Sequence, residues 1–286
     1  LSPHLYNLRK ENRVAIYFSN EALTSMNYYA ISPETDYNTL LLKFYEQLYK
    51  LNIECDFVDH TKKDLSRYKL IIVPALYSAS KEETDRLNDF VANGGHVVYT
   101  FRSGFTDENV KVHPIRQPAP FREQVGASYQ QFTSIDKMPL KSTKLKTRGA
   151  DLAFDSWIEL MIPEGAEVWA TYDSPYWGQY AAITHHKSGR GAVTYIAGNP
   201  TPALTRELLQ TACAEAGITR PPVNAEFPVI VRSGINEQGR NVHFLLNYSG
   251  EPATCTYQFK SGRDLLTGKR IVAGEQVEIP AWDLYI

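Results

Sequence analysis

Arg102, Ser103 and the carboxylates Asp107 and Glu108 fall within one short stretch, HVVYTFRSGFTDENV, residues 96–110. Val97, Val98 and Tyr99 read as a buried strand that stops at Arg102-Ser103-Gly104. In many α/β enzymes such a strand-to-loop corner holds a nucleophile, and the chemistry would be acyl transfer. A cysteine version needs a thiol at the corner, and Cys55, Cys213 and Cys255 all lie far from it in sequence. A serine version needs G-x-S-x-G, so that small residues relieve the tight turn. Here Thr100-Phe101-Arg102 precede Ser103 and a single glycine follows. A hydrolase using Ser103 with His113 has only their closeness in sequence behind it. The plainer expectation is that Arg102 and Ser103 cap the strand end and bond to the acidic loop at Asp107-Glu108.

Other combinations fare no better. The stretch after the first strand, Ser19–Asn27 (SNEALTSMN), reads as a loop with hydroxyls but no glycine, and Glu21 would repel a phosphate. No G-x-G-x-x-G follows any strand, so a dinucleotide site is not expected. His185 and His186 are adjacent in a strand and point to opposite faces, which prevents easy ligation of one ion. The carboxylate pairs Asp107-Glu108 and Glu82-Glu83 lie on a loop and on a polar helix face. They read as solvated surface, with nothing to separate their pKa values as paired acid–base catalysis requires. The residues therefore predict no catalytic group, no cofactor-binding residue and no metal ligand.

The elements that place this corner alternate strand and helix. Val14–Ser19, Ile53–Asp59, Leu70–Pro74 and His96–Phe101 are apolar runs of strand length. Asn38–Leu51 carries Leu41, Phe44, Tyr45, Leu48 and Leu51 at helical spacing, with Asn38 as the expected N-cap. Ser80 and Glu83 form a capping-box signature opening a helix that ends at Asn93-Gly94-Gly95. Repeated strand–helix–strand units predict an α/β fold, a doubly wound parallel sheet of flavodoxin-like type with helices on both faces. Residues 105–160 have few periodic runs and read as a long insertion crossing the sheet edge. Glu167–Tyr172, a hairpin of Tyr180–His186 with Ala192–Ala197, and a helix over Thr205–Ala216 follow.

Thr219-Arg220-Pro221-Pro222 is the linker candidate. Beyond it, short runs such as Val229–Val231, Val242–Tyr248, Thr254–Phe259, Arg263–Leu266 and Gln276–Ile279 alternate apolar and polar residues between turns. They predict a small antiparallel all-β domain, a sandwich or Greek key. The expected domains are a helical lead-in over 1–12, continuing a preceding domain, then 13–220 and 221–286.

The 286 residues are 43% hydrophobic and 22% charged with a formal charge of −2, which suits a globular protein and argues against nucleic acid as a partner. No window is apolar enough for a membrane helix, and LSPHLYNLRKEN has no signal-peptide core. Three scattered cysteines suit a reducing compartment, so a cytoplasmic location is expected.

Several strings are familiar in order: NLRKENRVAIYFSNEAL, YNTLLLKFYEQLYKLNIECDFVD, YKLIIVPALY and FVANGGHVVYTFRSGFTDEN. They resemble the middle domain of family 42 glycoside hydrolases, the bacterial β-galactosidases. FLLNYSGEP and DLLTGKR with VEIPAWDLYI resemble the same family's C-terminal β domain. The resemblance is collinear from about Leu5 to Ile286. It implies a trimerisation domain with a class I amidotransferase-like fold that lacks the nucleophile. It also implies a parent enzyme that hydrolyses terminal β-D-galactosides with retention, through two glutamates on a TIM barrel that precedes these domains. Nothing in the chain matches that barrel, so no catalytic residue carries over and no cofactor is implied. The absent initiator Met fits a chain taken from, or encoded as, the C-terminal portion of such an enzyme. The implied partners are a second and third copy of the chain, the parent's barrel and, for the parent, its β-galactoside.

Arg102, Ser103, Phe105, Asp107, Glu108 and Asn109 are the expected interface or barrel-facing residues. Phe105, Phe121 and the run Tyr172–Tyr180 are the expected apolar patches. The segment KVHPIRQPAPFREQVGASYQQF departs from the glycine-rich, proline-containing turn usual in the family. The alternative reading is a free-standing amidotransferase-like module that binds a small ligand or carbohydrate at the strand C-termini.

Overall fold

A computed structural model of the chain describes residues 1–30, 36–221 and 223–286; Pro222 of the linker candidate lies outside the described residues. The chain forms two compact units. One comprises Arg13–Gln47 with Cys55–Ile218, the other Leu1–Asn12 with Leu48–Glu54 and Thr219–Ile286. The second unit thus includes a turn from early in the sequence that the expected ranges 1–12, 13–220 and 221–286 assign elsewhere.

The chain opens with a single helical turn, α1 (Ser2–Leu5), and not with a helix through residue 12. Arg9 instead bridges Ile235 as an extended residue. In the large unit, β1 (Val14–Tyr17), β3 (Leu70–Val73) and β4 (His96–Thr100) are buried at every position, which unbroken apolar runs in a parallel sheet require. With β2 (Cys55–Val58) they pair in parallel in the order β2-β1-β3-β4.

The connecting helices begin where side chains satisfy the free N–H groups of the first turn. The stretch read as a loop, Ser19–Asn27, is helical: α2 (Asn20–Tyr28) starts at once after the strand because the Ser19 hydroxyl accepts from Ala22 N at 3.1 Å. In α3 (Tyr37–Lys50) the cap is Asp36, which accepts from Thr39 N at 2.7 Å; Asn38 lies inside the helix. In α4 (Lys81–Ala92) the capping box forms as expected, with Ser80 N donating to Glu83 at 3.0 Å. Glu83 is not solvated surface. It is buried, and the Tyr17 hydroxyl donates to it at 2.9 Å, joining β1 to α4.

Beyond β4 the structure departs from a wholly parallel, doubly wound sheet. After α5 (Arg122–Val125), β5 (Ala127–Ser128) pairs only with β8 (Ile162–Pro163). The large sheet recruits β6 (Phe132–Lys141), β7 (Ala153–Glu159), β9 (Glu167–Tyr172), β10 (Ala181–Ser188), β11 (Gly191–Ile196) and β12 (Gly198–Pro200). Its ten strands run β12-β7-β6-β9-β10-β11-β4-β3-β1-β2, parallel from β11 to β2 and antiparallel from β11 to β12. Residues 105–160 are therefore not an insertion without order. A register shift between Ser134 and Lys137 breaks the period-two pattern by which β6 would be read. The helix α6 (Pro202–Glu215) starts on Thr201, whose hydroxyl accepts from Leu204 N.

The smaller unit holds two antiparallel sheets of three strands. One is β13 (Val223–Asn224), β16 (Ala253–Tyr257) and β19 (Gln276–Ile279); the other is β14 (Val229–Ile235), β15 (Asn241–Asn247) and β20 (Leu284–Tyr285). A short pair, β17 (Gly262–Arg263) with β18 (Arg270–Ile271), completes it. Val229, Val231 and Leu245 share one core with Cys255, Val277 and Ile279, so both sheets bury their inner faces together.

Asn52 fastens the early turn to this unit. At φ +58° it accepts from Val231 N at 2.9 Å and donates to Val229 O at 3.2 Å. Asparagine tolerates the left-handed region better than other residues with a Cβ. Asn52→Ala orphans a buried N–H and places alanine in a strained conformation. It should cost about 2–4 kcal/mol, read from urea unfolding.

Candidate functional site

The corner after β4 is built, and it is blocked. The residue in the left-handed conformation that a sharp strand-to-loop turn imposes is Arg102, at φ +62°, not Ser103. Arg102 is buried. Its guanidinium donates to the carbonyls of Tyr29 and Ala30 and lies 4.0 Å over the Trp157 ring. Ser103 is fully buried, and its hydroxyl accepts from Leu76 N at 3.2 Å. Neither residue bonds to the acidic loop, contrary to the expectation from sequence: both turn inward because the sheet end is covered. Among the described residues no hydrogen bond joins Ser103 to His113. Gly104, at φ +69°, is needed next, since a Cβ there would approach Phe121 to 2.8 Å.

Beneath the corner sits a carboxylate that sequence reading missed. Glu159, at the end of β7, is fully buried. It accepts from Arg102 N at 2.7 Å and from the Tyr195 hydroxyl at 2.7 Å, while the Tyr172 hydroxyl donates to its carbonyl at 2.6 Å. Burial pushes the Glu159 carboxyl above the ordinary range, opposed by these donated hydrogen bonds. Burial also lowers the pKa of the Arg102 guanidinium, and the Glu159 charge pulls it back up. The Tyr129 hydroxyl lies in the field of Glu159 without a well-formed hydrogen bond. The arrangement holds a strained turn in place. Its carboxylate and the surrounding hydroxyls of Ser103, Tyr129, Tyr172 and Tyr195 are all buried. A lone glutamate ending the apolar run of β7 was the only signal, and its partners come from distant strands.

Rings form the surroundings. Phe105 is half-buried, stacked on Tyr77 at 5.4 Å and set edge-on to Phe132 at 5.6 Å. Phe132 stacks on Trp157 at 5.0 Å, and Tyr77 lies 6.5 Å from Tyr29. Tyr29 is 63% exposed and Phe132 44%. Asp107 turns its own loop by accepting from Asn109 N and Lys111 N, each at 2.9 Å, and these bonds hold its carboxyl below the usual range. Glu108 and Asn109 are exposed. Two expected surface patches are interior: Phe121 is fully buried against Tyr99 at 4.4 Å, and Tyr172 is buried by its bond to Glu159, whereas Tyr176 is 79% exposed.

A second cluster gathers elsewhere in the large unit. His185 does not pair with His186, whose Nδ1 lies 2.9 Å from Gln124 O. It meets His96 of β4 instead, with ring centroids 5.6 Å apart, and both Nδ1 atoms face Glu215 of α6 at 3.6–3.7 Å. Burial, and then the neighbouring His185, hold the His96 imidazole down to about 3.

Comparison with known proteins places this architecture. Residues 12–219 match the family model described as the β-galactosidase trimerisation domain, and residues 229–286 match the β-galactosidase C-terminal domain. β-Galactosidase LacZ of Lactobacillus acidophilus is 26% identical over 285 residues, covering 99% of this chain and 42% of that protein. β-Galactosidase bgaB of Geobacillus kaustophilus is 32% identical over 179 residues, covering 63% of this chain and 26% of that protein. The crystal structure of β-galactosidase from Bacillus circulans sp. alkalophilus superposes with a TM-score of 0.89 at 29% identity, over 98% of this chain and 42% of that one. The chain thus spans about two-fifths of the length of the LacZ relative. It belongs to the family 42 β-galactosidases, of which it carries the non-catalytic trimerisation and C-terminal domains.

Proposed function

We propose that these residues are an assembly module: they associate as a homotrimer and carry the catalytic barrel of a cytoplasmic β-galactosidase that hydrolyses terminal β-D-galactosides with retention. The corner supports this most directly. The position at which a related hydrolase would hold a nucleophile is filled by Arg102, whose guanidinium is spent on two carbonyls and a tryptophan face. The order β2-β1-β3-β4-β11 of the parallel strands is that of flavodoxin-like sheets, in keeping with an amidotransferase-like core put to another use. The ladder of rings from Tyr29 to Trp157 offers partly exposed aromatic surface beside the corner, of the kind that anchors protein interfaces. Exposed Glu108 and Asn109 would form a polar rim to it.

Light scattering over a range of concentrations tests the reading. Three times the mass of one chain is expected, falling towards one chain in Phe132→Asp, with no β-galactosidase turnover in either. A single-chain mass at every concentration, or turnover by these residues alone, overturns it.

A further inference from the structure

We propose that His96, His185 and Glu215 form a binding site for one divalent first-row transition-metal ion, Zn2+ being the best fit to the donor set. The three ligand atoms lie within 4.8 Å of one another. Glu215 Oε2 is 3.7 Å from His96 Nδ1 and 3.6 Å from His185 Nδ1. Ligand bonds of about 2.0–2.2 Å in a tetrahedral site put neighbouring donors about 3.3–3.5 Å apart. The two edges to Glu215 need movements of only a few tenths of an ångström; the edge between the histidines is held within 4.8 Å and closes by turning the His185 ring nitrogen away from Thr194.

The histidines are prepared for this. His96 is only 4% exposed, and its Nδ1 makes no well-formed hydrogen bond, with the Ala212 carbonyl as a weak neighbour that nudges its pKa up. A buried, unpartnered ring nitrogen aimed at a carboxylate is costly to leave empty. The other ring nitrogen, Nε2, lies 2.9 Å from the Thr194 hydroxyl, the outer-shell bond that fixes a ligating imidazole. His185 is held flat against Trp169, with centroids 4.7 Å apart and planes 11° from parallel. Its Nδ1 is 3.2 Å from the same Thr194 hydroxyl, which must turn away when the lone pair goes to metal. Burial lowers both imidazole pKa values, in the direction of the neutral rings that ligation requires.

Glu215 supplies the charge. It is the last residue of α6, where the helix dipole disfavours a carboxylate. Among the described residues the basic groups within 4 Å of it are these two histidines, which would pair with it as ions only when protonated. A bound cation would relieve both the dipole and the burial. Two nitrogens and one carboxylate oxygen suit Zn2+, Co2+ or Ni2+ over Mg2+ or Ca2+. The half-exposed edge at Glu215 leaves a fourth position for water. The three ligands come from β4, β10 and α6, so the ion would pin the end of α6 to the sheet.

The test is calorimetric titration of ZnCl2 into the full chain after dialysis against EDTA, with Co2+ absorption as a second readout. One equivalent of Zn2+ and the intense visible bands of low-coordinate Co2+ are expected, unaffected by excess Mg2+. Glu215→Gln, at the half-exposed edge and nearly isosteric, should weaken Zn2+ at least about tenfold, the scale seen when a metal site loses a supporting group. His185→Ala should do the same, and His60→Ala, at an exposed histidine, should not. No Zn2+ binding, or binding undiminished in Glu215→Gln with an unchanged circular dichroism spectrum, overturns the proposal.

Discussion

Glu159→Ala is expected to destabilise the large unit by about 3–5 kcal/mol, the scale of orphaning two buried donors and releasing a strained turn. The loss has identifiable parts. Arg102 N and the Tyr195 hydroxyl each lose the acceptor they meet at 2.7 Å, in a place water does not reach. A buried donor left alone costs about 1–3 kcal/mol. The left-handed turn at Arg102 loses the bond that holds it as well. Glu159→Gln keeps an acceptor and the shape, and should cost less.

The two variants also differ in pH dependence. The folded pKa of Glu159 is raised, so above the unfolded value of about 4.3 the folded state keeps a proton that the unfolded state has released. This group's contribution is therefore complete below that value and declines as pH rises through the folded pKa. Glutamine cannot ionise, so the deficit of Glu159→Gln should shrink between pH 4 and pH 7. Denaturant midpoints of both proteins at the two pH values check it. A deficit that grows with pH would mean that the carboxyl is more acidic in the fold than in the unfolded chain.

Phe121→Ala should cost about as much, roughly 3–5 kcal/mol, by a different route. The ring is fully buried and stacked on Tyr99, which is itself fully buried in β4. It also lies against Gly104 so closely that no Cβ fits there. Removing it opens a cavity directly under the corner. Phe121→Leu refills most of the volume and should cost less than half as much. Urea unfolding of the pair distinguishes packing from any surface role, since an exposed phenylalanine would lose little in either variant.

Legibility followed locality. The capping box at Ser80 and Glu83 and the apolar runs of β1, β3 and β4 are short-range signals, and they could be read directly. The helix at Asn20–Tyr28 was hidden because its cap, Ser19, follows the strand with no intervening turn residue. Of the antiparallel half, Glu167–Tyr172 and the hairpin of β10 with β11 could be read, while β6 and β7 were hidden by a register shift that scrambles alternation over 132–141. That the corner has neither a cysteine nor a G-x-S-x-G pattern was legible from residue types. What fills the corner was not: a positive φ at an arginine has no sequence signature, and Glu159 acquires its partners only when β4, β7, β9 and β11 lie in one sheet. The meeting of His96 with His185 escaped for the same reason, since adjacency in the chain drew attention to His186.

The course of the backbone between its two units has a consequence for where the protein tolerates a cut. The chain passes from one unit to the other at 12/13, 47/48, 54/55 and 218/219, so the smaller one is stitched from three pieces of sequence. A break near residue 219 would not release a self-sufficient module. It would leave behind Leu8, whose side chain sits over Gly234, and Asn52, which occupies the backbone of β14. The stretch 219–286 is a continuous length of chain and an incomplete fold.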